Sequence, residues 1–467
     1  MSSSSEIASS IIVASFSGVA KVFLVSGVGY LAVKFPRENP LIPRDMIGAM
    51  SRFTFVCLNI PLIYVALGST LTLELLRSLW FIPLSGVVLI CISYVTAAAL
   101  GMIPYFRMGD MTDRSALNIA ASFPNVVSIP LLMFPNLCEY EAMYDAVNRD
   151  LGDDSISLDA SKEEKVRACT NAANAMVFTY FFAWSLMFYG LGAPRLMACG
   201  KRRIHSRRET DTARVLDRTN EEPLEEVIPP NTATDQVSSY KRTKSSMMSV
   251  MLVLIETVIS PGFVATMLGL GTALIPPLQS AMFEPGGRLR FLGSALESLA
   301  QAAPALMAML VASSLVQSVE EGPIELVQTV EEGLNEPVQT DEEGTREEVV
   351  TSHNSAFRTH VWFCLSRLII TPGIVFALLV WLDCSMPFFG VYVPHMSKLV
   401  LLLNSCLPGA LTVVVFLKSE GFADTAEDVV RVYLPSYLLS VFTIAGWASL
   451  GLLISVPRED STNFCGV

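Results

Sequence analysis

Ten separate runs of mostly apolar residues, each about long enough to cross a bilayer, recur along this chain. They lie at 9–33, 47–68, 79–102, 116–136, 171–198, 248–271, 288–315, 357–382, 396–417 and 429–456. A spanning helix needs roughly 20 such residues. In lipid the backbone must satisfy its own hydrogen bonds, so only helices and closed barrels cross. The two-residue alternation of a barrel strand is missing, which leaves helices. The chain reads as an all-α polytopic membrane protein with about ten transmembrane spans.

Composition narrows the function. Of 467 residues, 52% are hydrophobic and 16% are charged. One globular core cannot hide so much apolar side chain, because such cores stop growing near ~250–300 residues. The net charge of −12 opposes a nucleic-acid surface, which is basic. A soluble enzyme, a disordered chain and a nucleic-acid partner are therefore excluded, and the partner is the lipid bilayer. The nine cysteines form no CxxC pair and no zinc-spaced cluster, so neither a metal nor a cofactor is expected. Cys57, Cys91, Cys364 and Cys406 sit in apolar runs, where cysteine acts as a small hydrophobe. Cys138 and Cys169 bracket a polar loop. They pair if that loop faces an oxidising compartment and stay reduced if it does not. The serine-rich start, Met1 to Ser10, lacks a basic n-region, so the first run is expected to remain as a helix.

Three polar stretches interrupt the pattern. Residues 137–170 are acidic. Residues 199–247 open with the basic cluster Lys201 to Arg208. Residues 316–356 hold an eleven-residue acidic repeat beginning at Glu320, Glu331 and Glu342, and this stretch is expected to be a solvated, mostly disordered tether. The positive-inside rule makes the 201–208 loop cytoplasmic. Parity then puts the acidic 137–170 loop and both termini on the other side.

The basic loop divides the spans five and five. The expected division is a first repeat at 1–198, a linker at 199–247, a second repeat at 248–456 and a tail at 457–467. Prolines recur in both halves: Asn59-Ile60-Pro61 in span 2 with Pro304 in span 7, Pro83 in span 3 with Pro372 in span 8. Asn125 to Pro130 in span 4 matches Asn404-Ser405-Cys406-Leu407-Pro408-Gly409 in span 9. An odd number of spans per half inverts the second half, giving a 5+5 inverted repeat with broken spans 4 and 9, an NhaA-like crossover. Broken helices at matching places point to a substrate site at mid-membrane, where freed backbone dipoles and amides hold a polar guest. The expected substrate-binding residues are Asn125, Ser128, Pro130, Asn404, Ser405, Pro408, Gly409 and Asn59.

Catalysis finds no support. His205, His353, His360 and His395 lie in loops or at helix ends, and GxSxG, Walker A and HExxH motifs are missing. Ionisable residues at depth mark a functional site or a pair. Four are present: Lys21, Glu256, Glu297 and Arg367. Arg367 is expected to neutralise Glu297 or Glu256, either as a structural ion pair or in coupling. Asn171 and Asn174 are expected to cap the start of span 5, and Asn118 that of span 4.

Asn125 followed by Ser128-Ile129-Pro130-Leu131-Leu132-Met133-Phe134-Pro135-Asn136-Leu137-Cys138 resembles the Asn-x-x-Asn-Leu-Pro-Leu…Pro-x-Val-Cys run of the PIN-LIKES branch of the auxin efflux carrier family. Ser260 to Gly269, Gly287 to Arg290, Ala302 to Met307, Arg367 to Pro372 and Leu407 to Ala410 resemble that family's later segments in the same order. The resemblance implies a ten-helix carrier with scaffold and transport bundles, moving auxin-like organic anions, with Asn125 against the carboxylate. It also favours the endoplasmic reticulum over the plasma membrane, and a homodimer is compatible with it. Ser128 replaces the family's second Asn, and Ala312-Ser313-Ser314-Leu315 replaces Gly-Gly-Asn-Leu. Two other readings stand beside this one. The first is a non-transporting receptor or scaffold displaying the acidic repeat. The second is a cation-coupled organic-anion carrier of similar architecture.

Overall fold

The computed structural model describes residues 20, 24–35, 41–43, 46–106, 111–126, 128–139, 161–205, 261–333, 357–385 and 395–455. Its helices begin with α1 (Leu24–Lys34), α2 (Met46–Thr70), α3 (Phe81–Leu100), α4 (Met111–Ser122), α5 (Ser128–Leu137) and α6 (Lys162–His205). They continue with α7 (Pro261–Leu274), α8 (Pro276–Phe283), α9 (Arg290–Gly333) and α10 (Phe357–Ser385). The last three are α11 (His395–Cys406), α12 (Leu411–Ser419) and α13 (Ala423–Ser455). Among the described residues six helices are long and apolar enough to cross a membrane: α2, α3, α6, α9, α10 and α13. The pair α7 and α8, bent by 103°, makes a seventh if counted as one span. Runs 4 and 9 are each split into two short helices, α4 with α5 and α11 with α12.

Proline sets where these helices depart from regular coiling. Three wide π-turns occur in the described helices, at Thr54–Asn59, Phe188–Gly192 and Leu365–Ile370. Each ends two residues before a proline: Pro61, Pro194 and Pro372. A proline lacks the N–H for the carbonyl four residues back, and its ring collides with that carbonyl. Widening the preceding turn to a five-residue bond relieves the collision. In α10 the Thr371 amide and hydroxyl both donate to Ser366 O, the hydroxyl at 2.7 Å. The carbonyl that Pro372 displaces, Leu368 O, accepts from the Trp447 indole at 2.9 Å. Pro83 behaves differently from its sequence counterpart Pro372. It lies in the first turn of α3, where the amide has no helical partner to lose.

The helices sort into two groups. In one, α2 packs on α7 and α9, and α1 meets α9, where Ser313 Oγ donates to Gly29 O at 3.2 Å. In the other, α3, α4, α5, α6, α10, α11 and α13 pack around one another. The boundary is formed by α2 on α6 and α12, α7 on α6, and α9 on α12 and α13. Glycine permits close approach there, as small residues do between helices in lipid: a Cβ on Gly262 of α7 would collide with the Tyr189 ring of α6.

Several expectations are corrected. Span 5 begins earlier than residue 171, because Ser161 and Glu164 form a capping box that opens α6. Asn171 and Asn174 are thus interior residues and not caps. Asn118 is likewise interior to α4 and buried. The acidic stretch after residue 315 is not all tether, since α9 continues as helix to Gly333. Eleven residues make about three helical turns, so the repeat sustains a helix. Residues 334–356 fall outside the described residues, as do Lys21 and Glu256. Cys138, just past α5, is disulfide-bonded to Cys169 in α6. That bond ties the second half of span 4 to its neighbour.

Candidate functional site

The breaks in spans 4 and 9 meet. Pro124 and Gly409 form an antiparallel β-bridge, flanked by Asn125 N donating to Pro408 O and Ala410 N donating to Phe123 O, both at 2.9 Å. In this pairing the bridged residues exchange no hydrogen bonds themselves, so Pro124 loses nothing by lacking an N–H. Gly409 is required for a separate reason. A Cβ there would overlap the Tyr433 ring. The crossover is therefore fixed by one proline that needs no donor and one glycine that leaves room.

The break in span 4 is made by Pro124, not by Pro130. Pro130 is buried in the first turn of α5, a position that tolerates proline. The bridge and its two hydrogen bonds make Phe123-Pro124-Asn125 equivalent to Pro408-Gly409-Ala410, offset from the Asn-to-Pro matching read from sequence. Asn125 lies in the extended break, whereas Asn404 sits in the last turn of α11.

Tyrosines of α13 complete the crossover. Asn125 Nδ2 donates to Tyr437 OH at 2.8 Å, and that hydroxyl donates to Gly409 O at 2.8 Å. Tyr433 OH donates to Ala120 O at 3.4 Å, reaching the C-terminal turn of α4. Their spacing, Tyr433-x3-Tyr437 with Ser440 one turn on, puts them along one face of α13. That spacing is the one sequence signal for a polar face here, and it does not name the partners.

Arg367 is 1% exposed. Its Nε donates to Leu407 O at 2.8 Å, its Nη2 to Asn404 O at 3.1 Å and its Nη1 to Ser93 Oγ at 2.9 Å. Asn404 O and Leu407 O belong to the end of α11, where helix carbonyls have no intrahelical partner and the dipole is negative. The expected pairing with Glu297 is not formed. Glu297 is bound by Arg290, two turns earlier on the same helix, at 2.8 and 3.0 Å. Sequence reasoning also missed Lys398, 2% exposed and bound to Asp383 at 2.7 and 3.0 Å. Its position near the start of the apolar run 396–417 gives no local sign of burial.

The remaining site residues are dispersed. Ser405 is buried but spends its hydroxyl on Leu402 O at 2.6 Å within its own helix. Ser128 begins α5, and its side chain falls outside the described residues. Asn59 is not bonded to the bridge: its Nδ2 donates to Tyr189 OH at 3.2 Å across the boundary between the two helix groups. Beside the break in span 4, Phe123 meets the edges of Trp184 and Phe188 at centroid distances of 5.6 and 5.1 Å. Several polar atoms here are buried without a hydrogen bond, namely both side-chain atoms of Asn404, Asn118 Oδ1 and Trp184 Nε1. Among the described residues no three His, Cys, Asp or Glu side chains gather as a metal would require.

A curated relative, Protein PIN-LIKES 1 from Arabidopsis thaliana, is 20% identical over 306 residues, 64% of this chain and 57% of that protein. The chain thus matches a little over half of that relative's length. Residues 14–448 match the family described as membrane transport protein. A match over nearly the whole chain, on a helical fold with several membrane-spanning segments, means that the chain belongs to the membrane transport protein family, the auxin efflux carrier family.

Proposed function

We propose that this protein carries small organic acid anions across its membrane by alternating access, with the cargo bound at the Pro124–Gly409 crossover. The observation that supports this reading best is the crossover itself, where two half-helices end and two begin around a proline–glycine bridge. Such ends expose amide N–H groups and positive dipole ends to a polar guest. An auxin-like cargo is suggested by the family resemblance and by the Phe123 ring beside the break, with the Trp184 indole packed on it.

The helix grouping fits a 5+5 inverted repeat. Spans 1, 2, 6 and 7 gather as one unit and spans 3, 4, 5, 8, 9 and 10 as the other, so each unit takes equivalent spans from both halves. Rocking of one unit against the other opens the crossover to either side. The disulfides fit the proposed orientation. Cys138, Cys169 and the disulfide-bonded Cys384 at the end of α10 all fall on the face opposite the basic cluster at 201–208, as an oxidising lumen or exterior requires.

The test is uptake of labelled indole-3-acetate into proteoliposomes. Asn125→Ala and Pro408→Ala should each cut the initial rate by about tenfold or more, as loss of a site hydrogen bond or of cargo positioning does. Wild-type rates in both variants would dismiss the assigned site.

A further inference from the structure

The crossover contains a buried positive charge that no carboxylate among the described residues balances. Among the described residues the other fully buried cation, Lys398, is paired with Asp383. Arg290, Arg203 and Arg431 are paired with Glu297, Asp428 and Glu427. Arg367 instead gives three of the five donors a guanidinium possesses to two carbonyls and a hydroxyl. The Ser93 hydroxyl that accepts from it donates its own hydrogen bond to Leu89 O at 2.9 Å, so this branch also ends on a neutral group. An ion taken out of water without a counter-charge is a large standing penalty.

Next to it is an amide with nothing to bind. Asn404 is 1% exposed, and neither its Nδ2 nor its Oδ1 has a partner, although its backbone carbonyl is held by Arg367. Buried polar atoms are almost always hydrogen-bonded, so an orphaned pair calls for an explanation. The two ends of the crossover are also capped differently. The end of α4 receives a neutral phenol, Tyr433, at Ala120 O. The end of α11 receives a cation. Left alone, the negative dipole end of α11 would repel an anion. Arg367 cancels that end and leaves positive charge over.

We propose that Arg367 and the Asn404 side chain form an anion-binding subsite on the α11 side of the crossover, recognising a carboxylate-like head group. This rests on the carrier reading above and goes further by assigning the counter-charge. Asn125 Nδ2 is already engaged with Tyr437. The head group therefore takes its charge complement from Arg367 and a hydrogen bond from Asn404.

The experiment measures binding of indole-3-acetate and of uncharged indole-3-acetamide to the purified full-length protein by calorimetry. Wild type should prefer the acetate by about tenfold or more, and Arg367→Gln should abolish the preference by weakening acetate alone. Arg367→Lys should retain part of it. Asn404→Asp gives Arg367 a carboxylate of its own, so this variant should keep or raise its melting temperature while losing acetate preference. Retention of the preference in both Arg367→Gln and Asn404→Asp would overturn the subsite. So would equal weakening of both ligands by Arg367→Gln, which marks a purely structural clamp. A wild type that prefers the amide or does not discriminate overturns the subsite alone. Failure of wild type to bind either ligand, or to move indole-3-acetate in proteoliposomes, overturns the carrier reading with it.

Discussion

Gly409 and Tyr433 occupy positions where one methyl group decides the packing. The ring stands where a Cβ would go, and interiors at native density have no slack for it. Gly409→Ala should therefore cost about 1–3 kcal/mol or more of stability, read as a fall in melting temperature in detergent. Tyr433→Leu in the same chain removes the obstructing ring and should recover part of the loss. A Gly409→Ala variant as stable as wild type would show that the Tyr433 contact is not fixed. Tyr437 acts through both of its bonds at the crossover, and Tyr437→Phe should destabilise by about 1–2 kcal/mol through their loss. These roles were hidden in the sequence because Tyr433 and Tyr437 reach partners about three hundred residues earlier in the chain. The charge at Arg367 was legible; its partners were not. An arginine among apolar residues announces function or pairing, but only the fold shows that it grips carbonyls of α11 while Glu297 is taken by Arg290.

At the scale of the helix, proline placement was readable and its consequence only partly so. Span 4 contains Pro124, Pro130 and Pro135 within a dozen residues. Which one breaks the helix depends on where Gly409 pairs, a contact no local pattern reveals. Pro130 seemed the equivalent of Pro408 but falls in a first turn, where proline is harmless. The π-turn before Pro372 offers a clean test of the cause assigned to it. Trp447→Phe leaves Leu368 O without its indole donor and should cost about 1–3 kcal/mol. Pro372→Ala returns a backbone N–H to that carbonyl, so the double variant should regain most of the loss. If the two effects simply add in a thermal double-mutant cycle, the proline is not what frees Leu368 O.

At the scale of the molecule, the proposed alternating access has the two helix groups move against each other across a boundary lined by α2, α7 and α9 on one side and α6, α12 and α13 on the other. Met307 of α9 and Thr412 of α12 touch across it, Oγ1 to Sδ at 3.8 Å. Cysteines at both positions, in a chain lacking the exposed thiols Cys57 and Cys91, should cross-link and stop indole-3-acetate uptake. A reductant should restore it. Uptake unaffected by the cross-link would mean that the groups do not rock at this contact. The sequence announced a helical chain with several membrane-spanning runs and the broken pair, since apolar length and proline are local properties. The grouping of spans arises from distant contacts such as Gly262 against Tyr189 and Asn59 with Tyr189, and it was accessible only through family resemblance.

The most direct measurement is a density map of the purified protein in lipid nanodiscs with indole-3-acetate bound. The account predicts the carboxylate of the ligand at the crossover, within hydrogen-bonding distance of Arg367 and Asn404, and its indole ring toward Phe123. A ligand seated elsewhere, or spans 4 and 9 running as continuous helices past each other, would contradict it.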